Sequence, residues 1–145
     1  MSKDTPAPGD RIKPKKSALI QFTSLTLQLE AFVVLFAAVA LYGLRDSGFE
    51  KGPIKLSSPT AIWVAGGVLF VLLLVLSRMT SRPAGIAGGT MAQVLVIATG
   101  LFLTMMFLVA LVFVAMWVAS LRIGARVDRE RQAYDDAHPE TAPNV

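Results

Sequence analysis

Three long apolar runs alternate with polar segments along this chain: Leu25–Leu44, Pro59–Leu76 and Ala84–Leu121. A helix of 20 residues rises about 30 Å, which is enough to cross one hydrocarbon core. The third run holds 38 residues and would measure about 57 Å as a single helix, nearly twice that thickness. Since tilt does not absorb such an excess, the pattern predicts two helices here with a turn near Gly100–Met105. The chain is therefore predicted to contain four transmembrane helices.

These helices define the domain organisation, and the fold class is all-α. Ser58 followed by Pro59 is a typical helix start, because serine caps free amides and proline suits the first turn. The ten or so residues after Leu121 could continue the last helix into water. The predicted regions are a disordered basic tail (1–16), a four-helix transmembrane domain (17–126; spans about 22–44, 59–78, 85–102 and 104–122) and a polar cytoplasmic tail (127–145), with disorder towards both termini.

Composition supports a membrane protein. Hydrophobic residues make up 54% of the chain and charged residues 17%, against about 25% charged in a soluble domain. Only eight of the 24 charged residues lie within the 97 residues from Leu25 to Leu121, which excludes an ordinary soluble globule. The predicted partner is the lipid bilayer. A pI of about 9.8 does not indicate nucleic-acid binding here, since basic tails beside apolar spans are typical of membrane orientation.

Basic residues predict the orientation. With four spans, both tails and the central turn share one side, which carries eleven Lys and Arg residues, and the loop between the first two spans carries three. The positive-inside rule then predicts a multi-pass plasma-membrane protein with cytoplasmic N- and C-termini. The same rule disfavours three spans. Ala38-Val39-Ala40 resembles a signal-peptide cleavage site, but the apolar stretch before it is long and contains Glu30, which favours an uncleaved helix.

Catalytic chemistry has little basis in this sequence. The only histidine, His138, lies in the predicted tail, and cysteine is absent. A His/Cys metal cluster and a Cys/His nucleophile pair are therefore excluded, and no nucleotide-binding or hydrolase motif occurs. We expect no enzyme activity, no catalytic residue, no cofactor and no metal site.

Glu30 and Gln93 are the intramembrane polar candidates. A carboxylate within a span costs several kcal/mol unless it is paired or protonated, which makes Glu30 a candidate functional residue. The alternative is a structural or interfacial role, because Glu30 follows the start of the apolar run closely. Gln93 should lie at a similar depth in the third span, where it serves either helix packing or ligand contact. Among the aromatic residues, Trp117 is predicted at the membrane interface.

Glycines predict close helix packing. On a helical wheel Gly85, Gly89, Gln93 and Gly100 fall within about 80° of one another. Small residues on one face let two helix backbones approach. Gly66 and Gly67 in the second span are interpreted in the same way.

Three segments resemble a known family. They are Leu29–Ala38 (LEAFVVLFAA), Gln93–Gly100 (QVLVIATG) and Ala115–Arg122 (AMWVASLR). They resemble the domain of unknown function 4233 family, small integral membrane proteins of high-GC Gram-positive bacteria. The resemblance covers about residues 21–126 and implies a plasma-membrane helical protein without an assigned activity.

The sequence favours a non-enzymatic helix-packing protein or accessory subunit, associated with itself as a homo-oligomer or with a membrane-complex partner. The alternative is a small oligomeric transporter or channel-like protein that uses Glu30.

Overall fold

The computed structural model describes residues 15–47, 52–56 and 58–139, and every regular element in these ranges is helical. The elements are α1 (Ala18–Gly43), α2 (Pro59–Met79), α3 (Pro83–Ala98) with a 3₁₀ turn (Thr99–Leu101), and α4 (Met105–Ala137). Four helices, counting the 3₁₀ turn as part of the third, are long and apolar enough to cross a membrane. The prediction of an all-α protein with four such helices is confirmed. The tail predictions for residues 1–14 and 140–145 lie outside the described residues.

Helix starts follow from local sequence. The Ser17 hydroxyl accepts a hydrogen bond from the Ile20 amide at 3.3 Å, and Ser58 accepts one from the Ala61 amide at 3.4 Å. Pro59 and Pro83 occupy the first turns of α2 and α3, where the missing amide hydrogen costs no intrahelical bond. Serine caps and prolines therefore set the starts of three of the four long helices.

Helix lengths differ from the predicted spans mainly at the two chain ends. Helix α1 begins at Ala18, four residues before the predicted span, and α4 continues to Ala137, fifteen residues beyond its predicted span. The turn between α3 and α4 falls at Phe102–Thr104, within the predicted region. The extra helical residues of α1 and α4 contact each other, as described below, and this tertiary contact accounts for the extension.

The four helices form a closed ring. Helix α1 packs against α2 and α4, and α3 packs against the same two helices from the opposite side, so that α1 and α3 approach each other only at a few positions. The main core contains Leu27, Val34, Leu73, Val96 and Trp117, with contributions from all four helices. A diagonal arrangement of this kind places residues of α1 and α3 on opposite sides of the bundle centre.

The level of Glu30 and Gln93 divides the bundle into two halves. The termini half runs from that level to the start of α1, the end of α4 and the α2–α3 turn, and the loop half runs from it to the end of α1, the start of α2 and the α3–α4 turn. In the loop half, the amides of Gly52 and Ile54 donate to the carbonyls of Phe102 and Leu101 at 3.0 and 2.9 Å. The loop between α1 and α2 is thereby fixed to the end of α3.

Candidate functional site

Glu30 and Gln93 meet at the centre of the bundle. Gln93 Nε2 donates a hydrogen bond to Glu30 Oε2 at 2.8 Å. Glu30 is 0% exposed and Gln93 5%. Glu30 lies twelve residues after the start of α1, about 18 Å along the helix. The structure thus brings together the two predicted polar candidates across the diagonal between α1 and α3.

Two oxygens of this pair lack a partner. Within the described part of the chain, neither Glu30 Oε1 nor Gln93 Oε1 accepts or donates a hydrogen bond, and both atoms are buried. Buried polar atoms are nearly always hydrogen-bonded. Leaving one unsatisfied costs about 1–3 kcal/mol. These two atoms are therefore the chemically unusual feature of the bundle interior.

Polar contacts continue from this pair into the termini half. The hydroxyls of Thr26 and Ser120 lie 2.9 Å apart and link α1 to α4. Trp117 Nε1 donates to Thr90 Oγ1 at 3.1 Å and links α4 to α3. Trp117 is 2% exposed, so its ring lies inside the bundle, where it packs on the α3 backbone at Gly89.

Most of the predicted glycine contacts occur. A Cβ at Gly89 would collide with the Trp117 ring, and one at Gly85 with the backbone of Met79, the last residue of α2. A Cβ at Gly66 would lie 2.6 Å from Ala38 Cβ on α1, and one at Gly100 would lie 2.5 Å from the Phe107 ring. Each of these four glycines permits a close approach.

Gly67 differs from its neighbour. A Cβ added there would meet no described atom within 4 Å. Adjacent positions on a helix point about 100° apart, so Gly66 faces α1 while Gly67 does not. The prediction that Gly67 packs against a neighbouring helix of the same chain is wrong.

Two close helix approaches and one helix cap were not predicted from the sequence. A Cβ at Gly88 would lie 2.6 Å from Leu76 on α2, and one at Gly124 would lie 2.5 Å from the Leu19 Cα atom on α1. The sequence does indicate the close approach at Gly88, because this residue lies with Gly85 and Gly89 in an unusually glycine-rich turn of helix. No such indication exists for Gly124, because its partner lies 105 residues away and its position depends on the relative tilt of α1 and α4.

Asp128 of α4 is that cap, and it caps the amino terminus of α1. Its carboxylate accepts hydrogen bonds from the Ser17 hydroxyl at 2.5 Å and from the amides of Ala18 and Leu19 at 2.6 and 3.1 Å. Burial raises the pKa of Asp128, but these three hydrogen bonds, together with the charge of Arg131, outweigh burial and hold that pKa below its usual value. A carboxylate at this position also interacts favourably with the helix dipole.

An ion pair extends this contact. Lys15 Nζ and Asp135 Oδ1 lie 2.9 Å apart. Together with the close approach of Gly124 to Leu19 and the Asp128 cap, this ion pair keeps the polar end of α4 in contact with the start of α1. These contacts extend over about three turns of α4. The termini half is therefore closed by specific contacts up to its outer end.

An apolar groove opens in the loop half. It encloses about 660 Å³ between α2 and α3, and α1 forms its floor. Along α2 its walls run from Ala61 to Leu72, about 16 Å. Thr99 is the only polar side chain among the described residues of its lining, and that hydroxyl already donates to the Val96 carbonyl at 2.5 Å. Small residues from three helices contribute much of the lining: Ala37, Ala38, Ala61, Ala65, Gly66 and Ala98.

Metal-ligand side chains do not cluster in the described part of the bundle. Across the described ranges, no three His, Asp or Glu side chains are placed to hold one ion. Arg78 and Arg82, the basic residues at the α2–α3 turn, are exposed. The candidate site thus consists of the buried Glu30–Gln93 pair and, about one helical turn away at Val34, the deep end of the apolar groove.

Comparison with known proteins identifies the family. Searches among curated proteins and among solved structures found no match. The family model described as Protein of unknown function (DUF4233) matches residues 21–133, a region that covers α2 and α3 in full and most of α1 and α4. The match runs seven residues beyond the segment that resembles the family in the sequence, and it includes Asp128. This multi-pass membrane protein therefore belongs to the DUF4233 family.

Proposed function

We propose that this protein is a non-enzymatic accessory subunit of the plasma membrane, and that its loop-half groove binds one transmembrane helix of a partner protein. The groove carries the proposal. Its lining offers no free hydrogen-bonding side chain among the described residues, so the occupant must be apolar along its contact. Six alanine and glycine residues on three helices suit the close approach of a helix backbone, as at other helix interfaces in membranes.

Photocrosslinking from the groove tests this proposal. Benzoylphenylalanine replaces Ala65 in the groove, and in a matched control it replaces Ala115, an exposed residue of α4 outside the lining. In native membranes, Ala65 should give one protein adduct of defined mass, and Ala115 should give none. The substitution A98F fills the opposite wall and should abolish the adduct from Ala65.

Two outcomes contradict the accessory role. An adduct of twice the chain mass would mean that a second copy occupies the groove. An adduct with lipid alone would mean that an acyl chain does.

The proposed orientation places both termini in the cytoplasm. Eleven of the fourteen basic residues lie on the termini side of the four spans, which supports this orientation. Because the chain has no cysteine, single cysteines can be labelled in intact cells without background. An impermeant reagent should label the variant K55C and should not label D136C. Labelling of D136C from outside would contradict the orientation.

Transport is the second candidate function, and the buried Glu30 favours it. An ionisable side chain inside a membrane bundle often marks a solute or proton path, and the groove ends one turn from Glu30. If the protein carries protons, the purified protein in liposomes should support proton flux, and E30Q should abolish that flux without loss of the folded state. Equal flux with and without the protein would remove this candidate.

A further inference from the structure

We propose that Glu30 binds one proton in the folded protein and donates it, from Oε1, in a hydrogen bond to Gln93 Oε1. The two side chains then form a reciprocal acid–amide pair that joins α1 to α3. This pairing does not depend on whether a helix, a lipid or a second copy occupies the groove.

The hydrogen-bond donors and acceptors of Glu30 and Gln93 support this proposal. An ionised carboxylate only accepts, and the amide oxygen of glutamine also only accepts. With Glu30 ionised, the two unpartnered buried oxygens, Glu30 Oε1 and Gln93 Oε1, could not bond to each other. One proton on Glu30 Oε1 supplies the missing donor. The existing bond from Gln93 Nε2 to Glu30 Oε2 brings the carboxyl and amide groups into contact, and a proton on Glu30 gives its Oε1 atom a hydrogen to donate to Gln93 Oε1.

The positions of the other charged residues also support a protonated Glu30. Glu30 is the only charged residue of α1. Arg78 is the only one of α2, and α3 has none, although Arg82 precedes its first residue. The first charge of α4 is Arg122. All three arginines are exposed at the termini half, and among the described residues Glu30 forms no ion pair. A buried carboxylate without a countercharge is much more costly than the neutral acid.

Proton binding should affect how α1 and α3 are held together. Helices α1 and α3 are diagonal in the ring and share few contacts, so this pair is a main polar link between them. Removal of the proton replaces the second hydrogen bond with two facing acceptor oxygens and adds an unpaired charge. The Glu30–Gln93 pair should therefore hold α1 and α3 together when it is protonated and weaken that contact when it is not.

Infrared difference spectroscopy tests the proton directly. The spectrum of the wild-type protein minus that of E30Q, at neutral pH in detergent, should show the C=O stretch of one protonated carboxyl group, with a small downshift in D₂O. In a Q93A background the same band should persist at higher frequency, because the carboxyl loses its amide partner. A difference spectrum with the antisymmetric carboxylate stretch, and no protonated band, would overturn the proposal.

Exchange of the two side chains provides a second test. The double variant E30Q/Q93E reverses the pair, so it should retain the protonated-carboxyl band and a melting temperature close to that of the wild type. E30Q alone keeps two complementary amides and should also melt near the wild-type temperature. When the pH is raised, the wild-type melting temperature should fall, because the folded state holds a proton that the unfolded state releases. The melting temperature of E30Q should not follow that trend, and an equal fall in both proteins would contradict the pairing.

Discussion

The helices are packed in different ways in the two halves of this bundle. In the termini half, hydrogen bonds and glycine contacts tie the helices together: Thr26 with Ser120, Trp117 with Thr90 and Gly89, and Asp128 with the start of α1. In the loop half, α2 and α3 leave an apolar groove of about 660 Å³ between them. In a membrane, apolar contact with lipid costs little, so a helix bundle needs specific contacts only where the helices must stay together. The termini half is thus held by polar contacts between the helices, and the loop half leaves an apolar surface open between α2 and α3.

The largest expected effect concerns Gly89. The substitution G89L places a side chain where the Trp117 ring lies, and it should lower stability by about 3 kcal/mol, since overpacking costs typically 1–3 kcal/mol and occasionally more. Val94 is 61% exposed, so V94L serves as the control and should change stability little. Thermal unfolding in detergent measures both. Equal melting temperatures would mean that the termini half is not closed at Gly89.

Loss of the Asp128 cap should have the next largest effect. D128A removes the acceptor of three hydrogen bonds at the start of α1 and should cost about 1–2 kcal/mol, as for other helix caps. It should also increase amide hydrogen exchange in residues 123–137. D136A, at an exposed position on the same helix, is the control. Unchanged exchange in D128A would show that the cap does not hold the end of α4.

The Asp128 cap also predicts a pH dependence. The folded-state pKa of Asp128 lies below its usual value, so this carboxylate stabilises the folded protein above the unfolded-state pKa, near 3.9. That stabilisation is lost as the pH falls through the folded-state pKa. The wild-type melting temperature should therefore fall below about pH 4 more steeply than that of D128A. Parallel curves would exclude the cap as the source of the acid sensitivity.

Coupling between Glu30 and Gln93 should be smaller. A double-mutant cycle with E30A, Q93A and the double variant should give a coupling free energy between about 0.6 and about 1.7 kcal/mol, the average and the maximum for interhelical hydrogen bonds in membranes. Chemical denaturation in detergent gives the four free energies of unfolding. Zero coupling would mean that the two side chains do not interact.

The smallest effect is expected in the groove. Ala65 lines open space, so A65L should change the stability of the isolated protein by less than about 0.5 kcal/mol, as for surface substitutions. Ala92 is 1% exposed in the main core, so the same change there, A92L, should cost about 1–3 kcal/mol. Similar losses in both variants would mean that the two halves are equally closed.

The sequence predicts the helices and the central pair for a clear physical reason. Run length alone separates four helices, because 38 apolar residues exceed one membrane crossing. The depth of Glu30 and Gln93 follows from counting residues along α1 and α3, which run in the same direction. No knowledge of side-chain packing is needed for either inference.

The other features of the structure depend on how the helices tilt and rotate, which the sequence pattern does not reveal. The cap by Asp128 joins residues 110 positions apart, and only the α1–α4 register brings them together. The groove arises because α2 and α3 part beyond their turn, which no residue pattern in either helix encodes alone. Gly66 and Gly67 are indistinguishable in sequence, yet helix rotation decides which of them meets Ala38. Trp117 is buried because Gly89 on another helix leaves room for its ring.

The most direct test of the difference between the halves is tryptophan quenching by brominated lipids in proteoliposomes. The chain has two tryptophans, so W63F leaves only Trp117 in the termini half, and W63F/W117F/A65W leaves only a groove tryptophan in the loop half. Bromine quenches on contact, and Trp117 is 2% exposed. We expect strong quenching of the groove tryptophan and little quenching of Trp117. Equal quenching of both, or stronger quenching of Trp117, would contradict a closed termini half and an open loop half.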